Sequence, residues 1–358
     1  MKIGIVTQAL TNNYGGLLQN YALQQVLKRL GHEPKTIDFV GRVSFTRYLL
    51  SICKQLLVSI LKCRRPQIRA YVAIPVFRNP IMADFVNNHI DKTSIVYSYR
   101  KEIINKEHFE AIITGSDQVW RPIYNMYIED MFLKFVPDNV KKIAYAASFG
   151  VDTWEYNDKQ RTNCAKYANR LDAVSVREST GIALCKDFLG VDATCVLDPT
   201  LLAGADAYKP LLKEKTEEQE YLFAYILDIT PENQSYVECI AKSKGLKAII
   251  KSADKHATLS VEEWLSMIAN SSIVVTDSFH GTVFSILFHR EFYSIVNTAR
   301  GGTRFSSLLN PLGLDHRMGD VSQLQSFGDS PIDWKQVDHS LTQQRRDSMN
   351  FLTNALKK

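Results

Sequence analysis

The chain has 358 residues, 45% hydrophobic and 23% charged, values of an ordinary globular protein with room for two cores. No apolar run approaches the ~20 residues that cross a bilayer, and the composition shows no disorder, low complexity or short repeat. The net charge of +5 is uneven: residues 41–78 carry eight Lys or Arg and no Asp or Glu, which leaves the rest of the chain at −3.

In chain order, "MKIGIVTQ" is β-branched, apolar and short, so it reads as a first strand rather than a signal peptide, and the expected location is the cytoplasm. "TNNYGG" is a turn-rich loop. "LLQNYALQQVLKRLG" has the apolar stripe of a helix closed by Gly31, and "EPKTIDFV" is a second strand. This is one βαβ unit of a doubly wound sheet. Within the basic segment, Leu49, Leu50, Ile52, Cys53, Leu56, Leu57, Ile60 and Leu61 recur at helical spacing. Two readings stand: a core helix with a solvated basic face, or an amphipathic helix that makes peripheral contact with an anionic membrane. No nucleic-acid-binding motif is interleaved with these charges.

Further strands are read at Ala111–Thr114, at "KKIAYAASFG" and at Ala173–Val176, followed by the short "TCVLDPTLL". A first Rossmann-like domain is expected over 1–195, including the basic segment, and a second over 196–358. The charged run "EKTEEQE" reads as a solvated turn. Strands at "YLFAYILD", "LKAIIKSA", "SIVVTDS" and "REFYSIVN" then alternate with helices, one of which opens on a capping box, Ser260 to Glu263. The fold class is α/β, two such domains facing across a cleft. The six cysteines, Cys53, Cys63, Cys164, Cys185, Cys195 and Cys239, form no CxxC and no cluster, so neither a zinc site nor a disulfide framework is indicated.

In open α/β sheets, ligands bind beyond the carboxyl ends of the strands. The residues there are Asn12, Asn13, Tyr14, Gly15, Gly16 and Gln19; Gly115, Ser116, Asp117 and Gln118; Ser148 and Gly150; Arg177 and Glu178; Asp198; and Asp277, Ser278 and His280. Any one of these loops is an ordinary turn, but polar and small residues at every strand exit argue for a site. Asp277 or Ser278 alone reads as an N-cap, and Gly15-Gly16 lacks the full GxGxxG pattern. His280-Gly281 opens a helix, whose N-terminal amides suit an anion. Arg300, Arg304 and Arg317 follow the next strand, and their planar forks suit carboxylate or phosphate.

Seven blocks in order carry a resemblance: "NYGGLLQNYALQQVLKRLGHE", "ITGSDQVW", "YAASFG", "VSVRESTG", "VLDPTLL", "VVTDSFHGTVFSILF" and "RFSSLLNPLGLDHR". Together they resemble the polysaccharide pyruvyl transferases, from about residue 3 to residue 317. The resemblance implies a two-domain fold similar to the GT-B glycosyltransferases. It implies transfer of a pyruvyl group from phosphoenolpyruvate to a sugar, closing a cyclic ketal and releasing phosphate, in bacterial capsule, exopolysaccharide or cell-wall glycan assembly. The donor would be held by basic residues of the second domain: His280, with Arg304 and Arg317.

On that resemblance, His280 is the candidate general acid/base, since imidazole is the side chain that titrates near neutral pH. Ser278 and Gly281 at the helix start, with Arg304 and Arg317, would bind the donor. Asp277 would orient His280 or cap the helix, with the cap favoured. Asn13, Tyr14, Gln19, Asp117 and Gln118 would meet the sugar, a hexose such as galactose joined through its 4- and 6-hydroxyls, in a surface polysaccharide or its lipid-linked precursor. Phosphoenolpyruvate is the co-substrate; no other cofactor, metal or nucleic acid is expected. Two other readings remain: a nucleotide-sugar glycosyltransferase of the same architecture, and a non-catalytic glycan-binding subunit.

Overall fold

Short β-branched runs alternating with amphipathic helices suit parallel sheets covered by helices on both faces, and two such sheets form here. The computed structural model describes residues 1–40, 52–53, 79–125, 127–214, 217, 219–253, 258–296, 302–321 and 331–357. The basic segment 41–78, apart from Ile52 and Cys53, lies outside the described residues, as does Arg300.

The first sheet is built from β1 (Lys2–Val6), α1 (Tyr14–Arg29), β2 (Glu33–Thr36), α2 (Pro80–His89), α3 (Lys101–Glu107), β3 (Ala111–Thr114), α4 (Ile128–Met131), β4 (Lys141–Ala147), α5 (Asp158–Ala168), β5 (Ala173–Val176), α6 (Thr180–Leu184) and β6 (Thr194–Cys195). Its order is β2-β1-β3-β4-β5-β6, and every pairing is parallel. After α7 (Pro199–Ala203) the second sheet takes β7 (Tyr221–Ile226), α8 (Pro231–Ser243), β8 (Lys247–Ser252), α9 (Val261–Asn270), β9 (Ile273–Thr276), α10 (Phe279–Leu287), β10 (Glu291–Ile295), α11 (Thr303–Leu309) and β11 (Met318–Gly319), before α12 (Trp334–Leu356) ends the described chain. Its order is β11-β10-β9-β7-β8, again parallel throughout.

Each sheet reverses its strand order once, between β1 and β3 in the first and between β7 and β9 in the second. Loops diverge at such a switch point and leave a crevice beyond the strand ends. The helices do not follow the division of the sheets. Arg345 of α12 donates to the Leu201 carbonyl at 2.8 Å, and Phe351 packs on Tyr145 of β4 at 6.3 Å between ring centroids. The last helix therefore crosses back to the first sheet.

One hydrophobic cluster runs continuously through both sheets. At its centre Trp264 of α9, fully buried, stacks on Tyr14 at 5.0 Å and 8° and meets Tyr225 and Phe284 edge-on at 5.4 and 5.7 Å. The Tyr14 hydroxyl donates to the Leu259 carbonyl at 2.7 Å, tying the start of α1 to the second domain. Truncating a buried Trp removes its transfer free energy and leaves a cavity, a loss of about 3–5 kcal/mol. We expect Trp264→Ala to lower stability by about that amount in urea unfolding, with tertiary signals from both sheets lost in one transition; two separated transitions in the wild-type would contradict a shared core.

Candidate active site

Both switch points open into one cleft of about 490 Å³, lined by Asn13, Tyr14, Gly15, Asp117 and Gln118 from the first domain and by Asp277, Ser278, His280 and Arg304 from the second. Seven of the ten residues singled out for binding or catalysis therefore line one cleft: Asn13, Tyr14, Asp117, Gln118, Ser278, His280 and Arg304. Gln19, Gly281 and Arg317 are not among its lining residues.

His280 sits in the first turn of α10, which starts where β9 ends. Ser278 caps that helix by accepting from the Gly281 amide at 3.3 Å. This amide is thus engaged in the cap and does not point at a ligand, contrary to expectation. Gly281 is required by packing, because a Cβ there would lie 2.5 Å from the Thr276 hydroxyl. Asp277 is not the favoured cap, since Ser278 takes that position: it accepts from the Leu227 and Asp228 amides at 2.6 and 3.3 Å and so fixes the β7 exit beside the β9 exit.

The His280 ring is held across the domain boundary. On one side lies Gly15, where a Cβ would stand 1.9 Å from His280 Nδ1. On the other, His280 Nε2 is 3.8 Å from the buried Asp198 carboxylate, an electrostatic contact too long for a hydrogen bond. Nε2 is buried and has no hydrogen-bond partner among the described residues.

Asp198 is the hub of a buried charge cluster. Its Oδ1 accepts from the Thr200 amide and hydroxyl at 2.9 and 2.6 Å, capping α7. Its Oδ2 accepts from the Ser116 hydroxyl at 2.7 Å and pairs with Arg177 Nη1 at 2.8 Å. Burial alone would raise this carboxyl, but the His280 ring, the Arg177 guanidinium and the Thr200 hydroxyl outweigh it and hold it far below the ordinary carboxylate range. Asp198 is therefore ionised, and its stabilising contribution, present at neutral pH, is lost only as the pH falls through that depressed value. Arg177 also donates to Ser148 Oγ at 3.2 Å and lies 3.6 Å from Glu178. A bulge between Ala144 and Ala147, with Ala146 at φ 52°, precedes Ser148 at the β4 exit. Above Arg177, the Phe279 ring lies 4.4 Å from its guanidinium carbon.

Arg304 lines the cleft as well as a second cavity, of about 490 Å³, on the Arg177 and Asp198 side. Burial, then the like charge of Arg177, pull Arg304 down to about 10, so it remains a cation at neutral pH and gains from an anion beside it. Opposite, Asp117 holds a left-handed backbone (φ 73°), a strained state that Asp tolerates better than most residues. Its carboxylate accepts from Asn13 Nδ2 at 3.3 Å. The Gln118 side chain lies directly on Gly150, where a Cβ would meet Nε2 at 2.0 Å.

Two of the residues outside the cleft, Gln19 and Arg317, have structural work, and so does Tyr14 on its wall. Gln19 is buried, donating to the Thr7 hydroxyl at 2.8 Å and the Gly16 carbonyl at 2.9 Å; it shapes the β1 exit from beneath. Arg317 is buried and paired with Glu291 at 2.8 Å, bracing β10 rather than reaching the cleft. Tyr14 contributes to the wall, but its ring stacks on Trp264 and its hydroxyl is engaged by Leu259. Among the described residues no group of three His, Cys, Asp or Glu side chains is placed to hold a metal ion, and no helix is long and apolar enough to cross a membrane.

A family model described as polysaccharide pyruvyl transferase matches residues 13–298. The chain belongs to the polysaccharide pyruvyl transferase family. The matched stretch begins after β1, contains the second sheet's switch point and His280, and ends before Arg304, which enters the site on geometry. Among solved structures, the chain is similar to a UDP-GlcNAc 2-epimerase from Methanocaldococcus jannaschii in complex with UDP-GlcNAc and UDP (11% identity, 99% of each chain, TM-score 0.49). It is also similar to the UDP-N-acetylglucosamine 2-epimerase from Rickettsia bellii (8% identity, 99% of this chain and 96% of that one, TM-score 0.47) and to a spinosyn rhamnosyltransferase (9% identity, 99% and 96%, TM-score 0.39). A comparison with curated proteins finds no match.

The Gly15 contact gives a specific test. A methyl group at Gly15 must push the His280 ring out of place, and a displacement of about 1 Å at a reacting group costs about 100-fold in rate. We expect Gly15→Ala to lose about that factor in turnover while its far-ultraviolet circular dichroism stays that of the wild-type; full activity would mean that the ring position is unimportant.

Proposed function

We propose that this transferase moves the pyruvyl group of phosphoenolpyruvate onto two hydroxyls of a hexose, such as the 4- and 6-hydroxyls of galactose, in a bacterial surface polysaccharide or its lipid-linked precursor. The observation that carries this reading is the meeting in one cleft of His280, Arg304 and the Asn13–Asp117 pair. The cleft volume lies within the ~300–1,000 Å³ of small-molecule sites.

The donor carries a carboxylate and a phosphate, and Arg304 is a desolvated cation whose charge an anion would stabilise. His280, in the same cleft and held between Gly15 and Asp198, would deliver a proton to the methylene carbon, which becomes the ketal methyl. The central carbon is then electrophilic and is attacked by the first sugar hydroxyl, whose proton returns to the imidazole. Attack by the second hydroxyl breaks the bond to the phosphate oxygen, and its proton leaves with the phosphate. Two hydroxyl protons are thus consumed, one on carbon and one on phosphate. Asp117, Asn13 and Gln118, on the opposite wall, suit hydroxyl ligands. With a lipid-linked acceptor the enzyme would work at the inner membrane face, where the eight basic residues of 41–78 would meet anionic lipid.

Phosphate release from phosphoenolpyruvate, with and without a galactoside, tests the reading together with product mass. We expect acceptor-dependent phosphate and a product heavier by pyruvate minus water, and thermal protection by phosphoenolpyruvate. Protection by UDP-sugars but not by phosphoenolpyruvate would instead support nucleotide-sugar transfer, and glycan binding without phosphate release would support a non-catalytic subunit.

A further inference from the structure

At the mouth of the cleft the β3 exit continues into a turn that exposes three large apolar side chains: Ile123 (64% exposed), Tyr124 (54%) and Tyr127 (53%). Large exposed side chains gathered at one place mark a contact surface more often than chance. The residues on the near side of this turn are anchored. Trp120 roots it in the core, fully buried and stacked on Phe132 at 4.6 Å and 7°. Arg121 forks onto Glu155 with two bonds of 3.0 and 2.9 Å. Asn125 Nδ2 donates to the Val119 carbonyl at 2.7 Å and closes the turn from inside. Tyr124 lies 5.3 Å from the Arg121 guanidinium carbon, and it lines the same cleft as Asp117, Gln118 and His280.

We propose that Tyr124 is a stacking platform for a pyranose ring of the acceptor glycan. The identity of that glycan as a pyruvyl acceptor rests on the function proposed above; the platform itself requires only a sugar. A pyranose presents an apolar C–H face and a rim of hydroxyls. A pre-fixed aromatic ring meets that face at small entropic cost, because Tyr has only two side-chain torsions and this one is already braced. The hydroxyl rim would then fall toward Asp117 and Gln118. Charge argues against a lipid surface at this place. From Asp117 to Phe135 there are three acids (Asp117, Glu129, Asp130) and two bases (Arg121, Lys134), the wrong sign for anionic headgroups.

Saturation-transfer nuclear magnetic resonance with methyl β-galactopyranoside and methyl β-glucopyranoside tests this on the full chain, comparing wild-type, Tyr124→Ala and Tyr124→Phe. We expect saturation on the ring C–H face in the wild-type, at least tenfold weaker affinity for Tyr124→Ala and recovery in Tyr124→Phe. In turnover assays the acceptor KM should rise by a similar factor in Tyr124→Ala, with the phosphoenolpyruvate KM unchanged. Equal saturation in wild-type and Tyr124→Ala, or none with either glycoside in the wild-type, would overturn the platform. Flotation with phosphatidylglycerol vesicles that Tyr124→Ala abolishes would overturn it in favour of a membrane. A wild-type that binds glycoside through Tyr124 but never releases phosphate would keep the platform and remove the pyruvyl-transfer reading.

Discussion

The architecture of the site depends on one buried carboxylate. Asp198 caps α7 with one oxygen and holds Arg177 and the Ser116 hydroxyl with the other. Arg177 in turn bonds Ser148 and carries the Phe279 ring. The exits of β3, β4, β5 and β6 are thereby joined to the start of α10. A buried ion pair is a weak source of net stability, because desolvation opposes its Coulombic gain. Removing one partner, however, leaves the other uncompensated, so such a cluster tolerates little variation in geometry. Here that rigidity fixes where the second domain's His280 lies relative to the first domain.

The His280 ring is positioned from three directions: by the Ser278 cap, which sets the first turn of α10; by Asp198, through charge; and by Gly15, through steric exclusion. Two of these belong to the stretch before β7, so the site is complete only when both sheets are docked. The continuous core around Trp264 and Tyr14 supplies that docking, and α12 reinforces it by returning to the first sheet. Packing and chemistry are coupled at adjacent residues: Tyr14 closes the core, and Gly15 admits the imidazole.

Much of this was legible in the sequence. Short β-branched runs and capped amphipathic helices define the doubly wound units, and the rule that ligands lie beyond the strand ends collected Asp117, Gln118, Asp198, Ser278 and His280. The capping box at Ser260 and Glu263 is present, each side chain bonding the other's backbone. The misreadings share one cause: spacing along the chain does not say which way a side chain faces. Arg317 follows a strand exit like Arg304 but turns to Glu291. Gln19, one helical turn after Gly15, points into the core below the loop. "TNNYGG" reads as a loop, yet α1 already starts at Tyr14, and Gly15 in its first turn leaves room for His280. In "VLDP", Asp198 before a proline is sufficiently explained as an N-cap. Nothing local shows that its second oxygen holds Arg177, a residue 21 positions away.

The central claim is that the imidazole held between Gly15 and Asp198 carries the proton transfer. It is tested most directly by the single-turnover rate of phosphate release from phosphoenolpyruvate, at saturating acceptor, for wild-type and His280→Ala. Loss of a positioned acid/base lowers the rate by ~10²–10⁴-fold. A fall of that size with phosphoenolpyruvate still bound is the result the account predicts. A His280→Ala rate near that of the wild-type would contradict it and place the chemistry on another residue of the cleft.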